Sequence, residues 1–274
     1  MTIEPFRSDD ISPFLKLAAL EGWVAEPWEF EFLLSAFPQG CFSARDDNGE
    51  TAGFVTSLLH LRSGWIGNLI VAEHFRGRGI GETLFKKALE ELRSAGAQTI
   101  WLTASKSGAP LYEKHGFSII DTVVRWVGTG RQRCEMHDCL GDWNTLGTSV
   151  SGIDCQAWGD RRDALLAATI GRGRLLFEES GFAAIQPSGD AWQCGPFTAL
   201  DSGSAERIFD TALRTIPIGS KIYLDSPASN RAALRIFSRR QMRFSGSSEL
   251  MYAGIRPDYR PELLYGLATM GSCG

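Results

Sequence analysis

Residues 71–85 read VAEHFRGRGIGETLF, with Arg76, Gly77, Arg78, Gly79 and Gly81 crowded together. Bare backbone beside positive side chains suits a flexible loop, a nucleic-acid-binding RGG tract, a dinucleotide fingerprint or a cradle for another phosphate. The dinucleotide fingerprint fails: if Gly77 and Gly79 are its first two glycines, Glu82 stands at the third. A P-loop fails because no Gly-Lys-Ser/Thr follows. Nucleic acid is opposed by charge, since 28 Lys+Arg against 32 Asp+Glu leave a net charge of −4, and by the lack of interleaved aromatic residues. What remains is a pyrophosphate held by backbone amides.

Such a site needs a strand in front and a helix behind. The apolar run WIGNLIV supplies the strand, and Ile80, Leu84, Phe85, Ala88, Leu89 and Leu92 recur at helical spacing until AG closes the helix. That order aims free N–H groups and the positive end of a helix dipole at one point. Around it, TIEPF, CFSAR, TAGFVTSLLHL, TIWLTA and FSIIDTVVRWV read as strands. DDISPFLKLAAL, EPWEFEFLLSAF and GAPLYEKHG read as helices, and DDNG as a hairpin turn. The first 127 residues therefore have the order β-α-α-β-β-β-α-β-α-β.

With 274 residues, two domains are expected. Residues 131–150 are polar, glycine-rich and without period, which predicts a linker between a domain at 1–130 and another at 151–274. The element order recurs in the second half. A shift of 124 lays GIGETLFKKAL on GSAERIFDTAL, and a shift of 125 lays LYEKHGF on IFSRRQM. The fold class expected is α/β, with two copies of a twisted mixed sheet flanked by helices.

The runs IVAEHFRGRGIGETLFKKAL and LTASKSGAPLYEKHGF together resemble the GNAT superfamily of N-acetyltransferases, whose motif A is Arg/Gln-x-x-Gly-x-Gly/Ala and whose later motif sets a Tyr shortly before Gly-Phe. The second half resembles a degenerate GNAT domain, as in tandem GNAT proteins. The resemblance implies transfer of an acyl group from acetyl-CoA to an amine of a small molecule or peptide, by direct attack in a ternary complex. It places the pyrophosphate on the amides of Arg76, Gly77, Arg78, Gly79, Ile80, Gly81 and Glu82. The pantetheine arm is expected beside Ile70 and Val71, with the Val71 amide polarising the thioester and Tyr112 protonating the thiolate. Ser105 stands where many members have a cofactor-facing Asn. An acyl-CoA-binding sensor without turnover is the alternative.

The acceptor amine is expected near EGWVAEPWEFEF, where Trp23, Glu26 and Trp28 offer charge and cation-π contacts, with His60 on a neighbouring strand. Glu26, His60, Glu73 or a water chain could take its proton. In the second half, the same alignment replaces Arg76 by Leu200, Gly77 by Asp201 and Tyr112 by Phe237. That half is expected to supply a wall of the acceptor site, a homodimer surface, or stability alone. No metal is expected: CEMHDC at residues 134–139 crowds its ligands too closely for structural zinc. The six scattered cysteines read as reduced thiols and no apolar run is long enough to cross a bilayer, so neither membrane nor nucleic acid is an expected partner, and the cytoplasm is the expected location.

Overall fold

The computed structural model describes residues 1–131 and 140–274. The first half runs β1 (Thr2–Pro5), α1 (Ile11–Leu20), α2 (Pro27–Ala36), β2 (Phe42–Arg45), β3 (Thr51–Leu59), β4 (Ser63–Val71), α3 (Ile80–Ser94), β5 (Thr99–Ala104), α4 (Ala109–Glu113) and β6 (Ser118–Thr129). This is the element order read from the sequence. Helix α3 buries the six apolar residues expected of it, because their spacing forms one stripe against the sheet.

The second half repeats the order with β7 (Leu140–Gly141), α5 (Trp143–Trp158), α6 (Asp163–Gly171), β8 (Arg174–Glu178), β9 (Gly181–Ser188), β10 (Ala191–Ala199), α7 (Ser202–Thr215), β11 (Lys221–Pro227), α8 (Arg231–Arg239) and β12 (Arg243–Gly254). A short strand, β13 (Leu264–Gly266), follows. The linker expected at 131–150 is corrected here, since its last eight residues are the first two turns of α5. Asp142 caps that helix, accepting from the Asn144 N–H at 3.2 Å. Its apolar anchors, Val150, Ile153, Ala157 and Trp158, come late, so the opening turns look like polar loop.

The two sheets fuse into one of thirteen strands, in the order β1-β2-β3-β4-β5-β12-β6-β11-β10-β9-β8-β7, with β13 paired to β10. Each half gives its last long strand to the other. β12 pairs with β5 over Thr99–Ala104, and β6 pairs with β11 over Val123–Thr129. A cluster of Trp65, Trp101, Trp158 and Leu250 fills the seam behind this exchange.

Each half also contains a splay between two parallel strands. β4 and β5 pair only from Ser63 to Trp65 and then part. Beside the opening, Asn68 adopts φ 54° and the β3–β4 register slips. A positive φ is unusual without glycine, and here the side chain is held by Thr56 Oγ1 at 3.1 Å and Ser272 Oγ at 3.3 Å. β10 and β11 likewise pair only at Trp192 and Gln193.

Candidate active site

Residues 72–79 form the turn between β4 and α3. Gly77 and Gly79 have φ of 76° and 78°, conformations that favour glycine, and a Cβ on either would meet nothing within 4 Å. Gly79 is the N-cap of α3 and no side chain among the described residues caps the helix, so its first N–H groups lack a side-chain partner. Ile80 buries its side chain, which leaves only its backbone for a ligand. A Cβ on Gly81 would lie 3.4 Å from Val71 Cγ2. The arginines fold back onto the turn. Arg76 donates from Nε to Val71 O at 2.9 Å and pairs with Glu21, while Arg78 reaches His74 O at 3.1 Å. Glu82 accepts from Lys86 at 2.8 Å and approaches His115 at 3.2 Å; the Lys86 contact holds its carboxyl below the usual range.

The Ala72 N–H donates to Ala52 O at 2.9 Å, toward β3. Strand alternation then turns the Val71 N–H and C=O to the opposite edge, toward the splay, and turns those of Ile70 to β3. Of this pair, Val71 is the one whose backbone faces away from β3; Ile70 packs its side chain into the core, and both border a smaller cleft beside Glu21 and Arg76 rather than the larger cavity into which the splay opens. Tyr112 lies on α4 with its ring 5.1 Å from Phe85, and burial pushes its phenol up to about 12. Ser105 Oγ accepts the Gly108 N–H at 3.1 Å, shaping the turn into α4.

The splay opens into a cavity of about 350 Å³. Its first-half lining includes Trp23, Glu26, Trp28, Glu29, Asn68, Ser105 and Tyr112, and its second-half lining includes Arg125's partner strand β11 at Tyr223, with Gln186, Gln193 and residues 268–272. The last segment is anchored across the splay: Thr103 donates to Met270 O and the Asn68 N–H donates to Gly271 O at 3.3 Å. Gly67 permits this approach, since a Cβ there would lie 2.2 Å from Ser272 O. On the far wall, Arg125 grips Asp225 through two bonds of 2.7 and 2.8 Å, and Gln193 donates to the same carboxylate at 3.1 Å.

Three acceptor-site expectations change. Glu26 and Trp28 line the cavity, but the cation they hold is the chain's own Arg172, 2.9 Å from Glu26 and 4.0 Å above the Trp28 ring. The sequence reading could not see a partner from α6's far end meeting them in space. His60 does not line the cavity: both ring nitrogens are buried and find no partner among the described residues. Burial, reinforced by Arg162, drives its pKa down to about 3, so the ring is neutral. Glu73 lies instead beside a smaller cleft of about 180 Å³ with Glu21 and Arg76.

Glu29 belongs to the same acidic run, EGWVAEPWEFEF, that is expected to border the acceptor amine. Glu29 is only 8% exposed and lines the cavity. Burial raises its carboxyl to about 7, against the opposing effects of the Ser272 hydroxyl and the Glu26 N–H. The available signal was its position three residues after Glu26: Glu29 Oε1 accepts the Glu26 N–H at 3.3 Å in a capping box, which fixes the carboxyl at the helix start.

The corresponding place in the second half is closed. Two residues, Leu200 and Asp201, join β10 to α7. Asp201 caps α7, taking the Ser204 N–H at 2.8 Å and its hydroxyl at 2.9 Å. Strand β13 fills the splay, pairing Phe197 with Gly266 and Thr198 with Leu264, while the Leu267 N–H donates to Asp225 O at 2.8 Å. Phe237 is wholly buried, and Asn230 caps α8 and donates to Leu264 O at 2.7 Å. Among the described residues there is no cluster of three or more metal-ligating side chains and no helix long and apolar enough to cross a membrane. The motif CEMHDC lies outside the described residues.

Comparison with known proteins matches both halves of the chain. Residues 8–117 match the acetyltransferase (GNAT) family and residues 150–266 match an acetyltransferase (GNAT) domain. A putative acetyltransferase from Pyrococcus horikoshii superposes with a TM-score of 0.85 at 25% identity, over 99% of this chain and 95% of that one. An uncharacterized N-acetyltransferase of Methanocaldococcus jannaschii is 29% identical over 46% of this chain and 64% of its own length, so the match spans under two thirds of that relative. Holothin acyltransferase of a Pseudoalteromonas species is 23% identical over 93% of this chain and 92% of its own. Both halves of the chain thus belong to the GNAT acetyltransferase family, as two domains in tandem sharing one sheet.

Proposed function

We propose that the chain is an acetyl-CoA-dependent N-acyltransferase with one reaction centre, in the first splay, acting on a small polar molecule that carries an amine. The observation that carries this reading is the cavity at the open end of β4 and β5, which joins Tyr112 and the β4 edge to a wall built by the second half. A peptide substrate needs an open groove, whereas here Gln186, Gln193, Tyr223 and residues 268–272 roof the space. The likeness to holothin acyltransferase, which extends over both halves, agrees with an acceptor site that needs both.

The glycine turn fits a pyrophosphate: two left-handed glycines with open space around them precede an uncapped helix N-terminus. Bound acetyl-CoA supplies an activated thioester. The amides of residues 76–82 would hold its pyrophosphate, and the Val71 N–H, facing the splay, would polarise the thioester carbonyl. Arg76 must first release Val71 O, where a pantetheine amide would pair. Tyr112, with its phenol held protonated, would give its proton to the departing sulfur. Ser105 and Trp23 would line the cofactor and acceptor sides of the cavity respectively.

Calorimetry with acetyl-CoA on wild type, Gly79→Glu and Asp201→Gly, followed by thiol release with a panel of small amines, tests the reading. One site per chain is expected, lost in Gly79→Glu and kept in Asp201→Gly. Binding without thiol release for any amine would favour an acyl-CoA sensor.

A further inference from the structure

We propose that Glu29 receives the ammonium of the acceptor and removes its proton, which makes it a catalytic residue of the reaction proposed above, on which this inference rests. Glu29 is a nearly buried carboxylate in the lining of the cavity. The other acidic residue in the lining is engaged: Glu26 is neutralised by Arg172. Glu29 forms no ion pair among the described residues: its partners are the Glu26 N–H and the Ser272 hydroxyl, and Arg172, already paired with Glu26, acts on it only weakly. A carboxylate kept dry without a cation is costly, and an incoming ammonium would relieve that cost.

Glu29 is also connected, through Ser272, to the bulge of β4. Ser272 Oγ accepts from Asn68 Nδ2 at 3.3 Å, and Asn68 Nδ2 also reaches Thr56 Oγ1 at 3.1 Å. The Asn68 N–H holds Gly271 O at 3.3 Å, so the segment that carries Ser272 is fixed to the strand that borders the thioester position. The groups facing Glu29 from the packed elements are Glu26 on its own helix, Arg172 after α6, and the Cys273 thiol, which burial pushes up to about 12 and so keeps neutral. A carboxyl raised to about 7 is matched to proton transfer near neutrality.

The ammonium gives one proton to Glu29, and its nitrogen lone pair forms the C–N bond at the thioester carbon. The C–S bond breaks and Tyr112 protonates the sulfur. The second proton lost by nitrogen restores Tyr112, and the proton on Glu29 leaves to solvent.

The test compares wild type, Glu29→Gln and Glu29→Asp in thiol release from acetyl-CoA with ethanolamine and other small primary amines, and with hydroxylamine, which is uncharged at neutral pH. Wild-type kcat/KM should rise with pH through a step near 7. Glu29→Gln should lose about a hundredfold and the step with it, with acetyl-CoA affinity unchanged and partial recovery in Glu29→Asp. Its deficit should shrink with hydroxylamine, which needs no prior deprotonation; a merely structural role would leave the deficit equal for all acceptors. Retention of the rate and the pH step in Glu29→Gln overturns the inference and leaves the proposed function standing. Binding of acetyl-CoA with no thiol release by wild type for any amine overturns both.

Discussion

The molecule contains the same strand-turn-helix junction twice, once open and once closed. In the first half, eight residues join β4 to α3, two of them left-handed glycines, and the helix begins uncapped. In the second, two residues join β10 to α7 and Asp201 supplies the anion from within. The splay beside each junction follows suit: the first leads into a cavity, while the second is stitched by β13. A duplicated fold therefore keeps its core and changes its use by shortening one loop and filling one gap. The second copy has become the wall of the first copy's cavity, a role it can hold because the exchanged strands β6 and β12 fix the halves together.

The comparison predicts asymmetric responses to matched changes. The largest is in cofactor binding: Gly79→Glu should weaken acetyl-CoA by more than about a hundredfold, or about 3 kcal/mol, whereas Asp201→Gly should create no second site. Leu264→Ala should cost about 2–5 kcal/mol on thermal or denaturant unfolding, because this fully buried residue seats β13 in the second splay. A stability change under 1 kcal/mol would mean that β13 is incidental to closure. Tyr112→Phe should lower kcat by about a hundredfold with little effect on Tm, while the reciprocal Phe237→Tyr should cost about 1–3 kcal/mol of stability by burying a hydroxyl without a partner.

The smallest effects concern charge. Asp201→Ala should cost about 1 kcal/mol by uncapping α7. Because the Ser204 backbone and hydroxyl contacts depress the Asp201 pKa, that contribution is present above the unfolded pKa and fades as pH falls through the folded one. Glu29 has the opposite sign. Its folded pKa, about 7, lies above the ordinary 4.5, so the folded state holds the extra proton between those values and stability falls as pH rises through that window. Glu29→Gln should therefore flatten this part of the stability-pH curve, measured by urea unfolding from pH 4 to 8.

What could be read early was whatever depends on local pattern. The spacing of Ile80 to Leu92 made α3 and its buried face legible, and the glycines at 77 and 79 marked bare backbone before the helix, which the structure holds in left-handed conformations. Asp201 was legible as a charge opposed to phosphate, although its function as a helix cap and the loss of most of the turn were not. The opening of α5 was hidden because its first turns carry Asn, Thr, Gly and Ser, which also suit a loop. Glu26 and Trp28 did suit a guanidinium, but the guanidinium is 144–146 residues away in the same chain.

By itself the sequence determined the two copies, the element order of the first and most of that of the second, and the copy that retains the glycine turn, because backbone conformation and amphipathic spacing are set by neighbouring residues. Only the tertiary structure decided that β6 and β12 change places, that residues 268–272 cross the first splay, and that Glu29 is dry while Glu26 is paired. Strand pairing and burial are fixed by contacts between distant segments, and the electrostatic state of a carboxylate depends on which of those segments covers it.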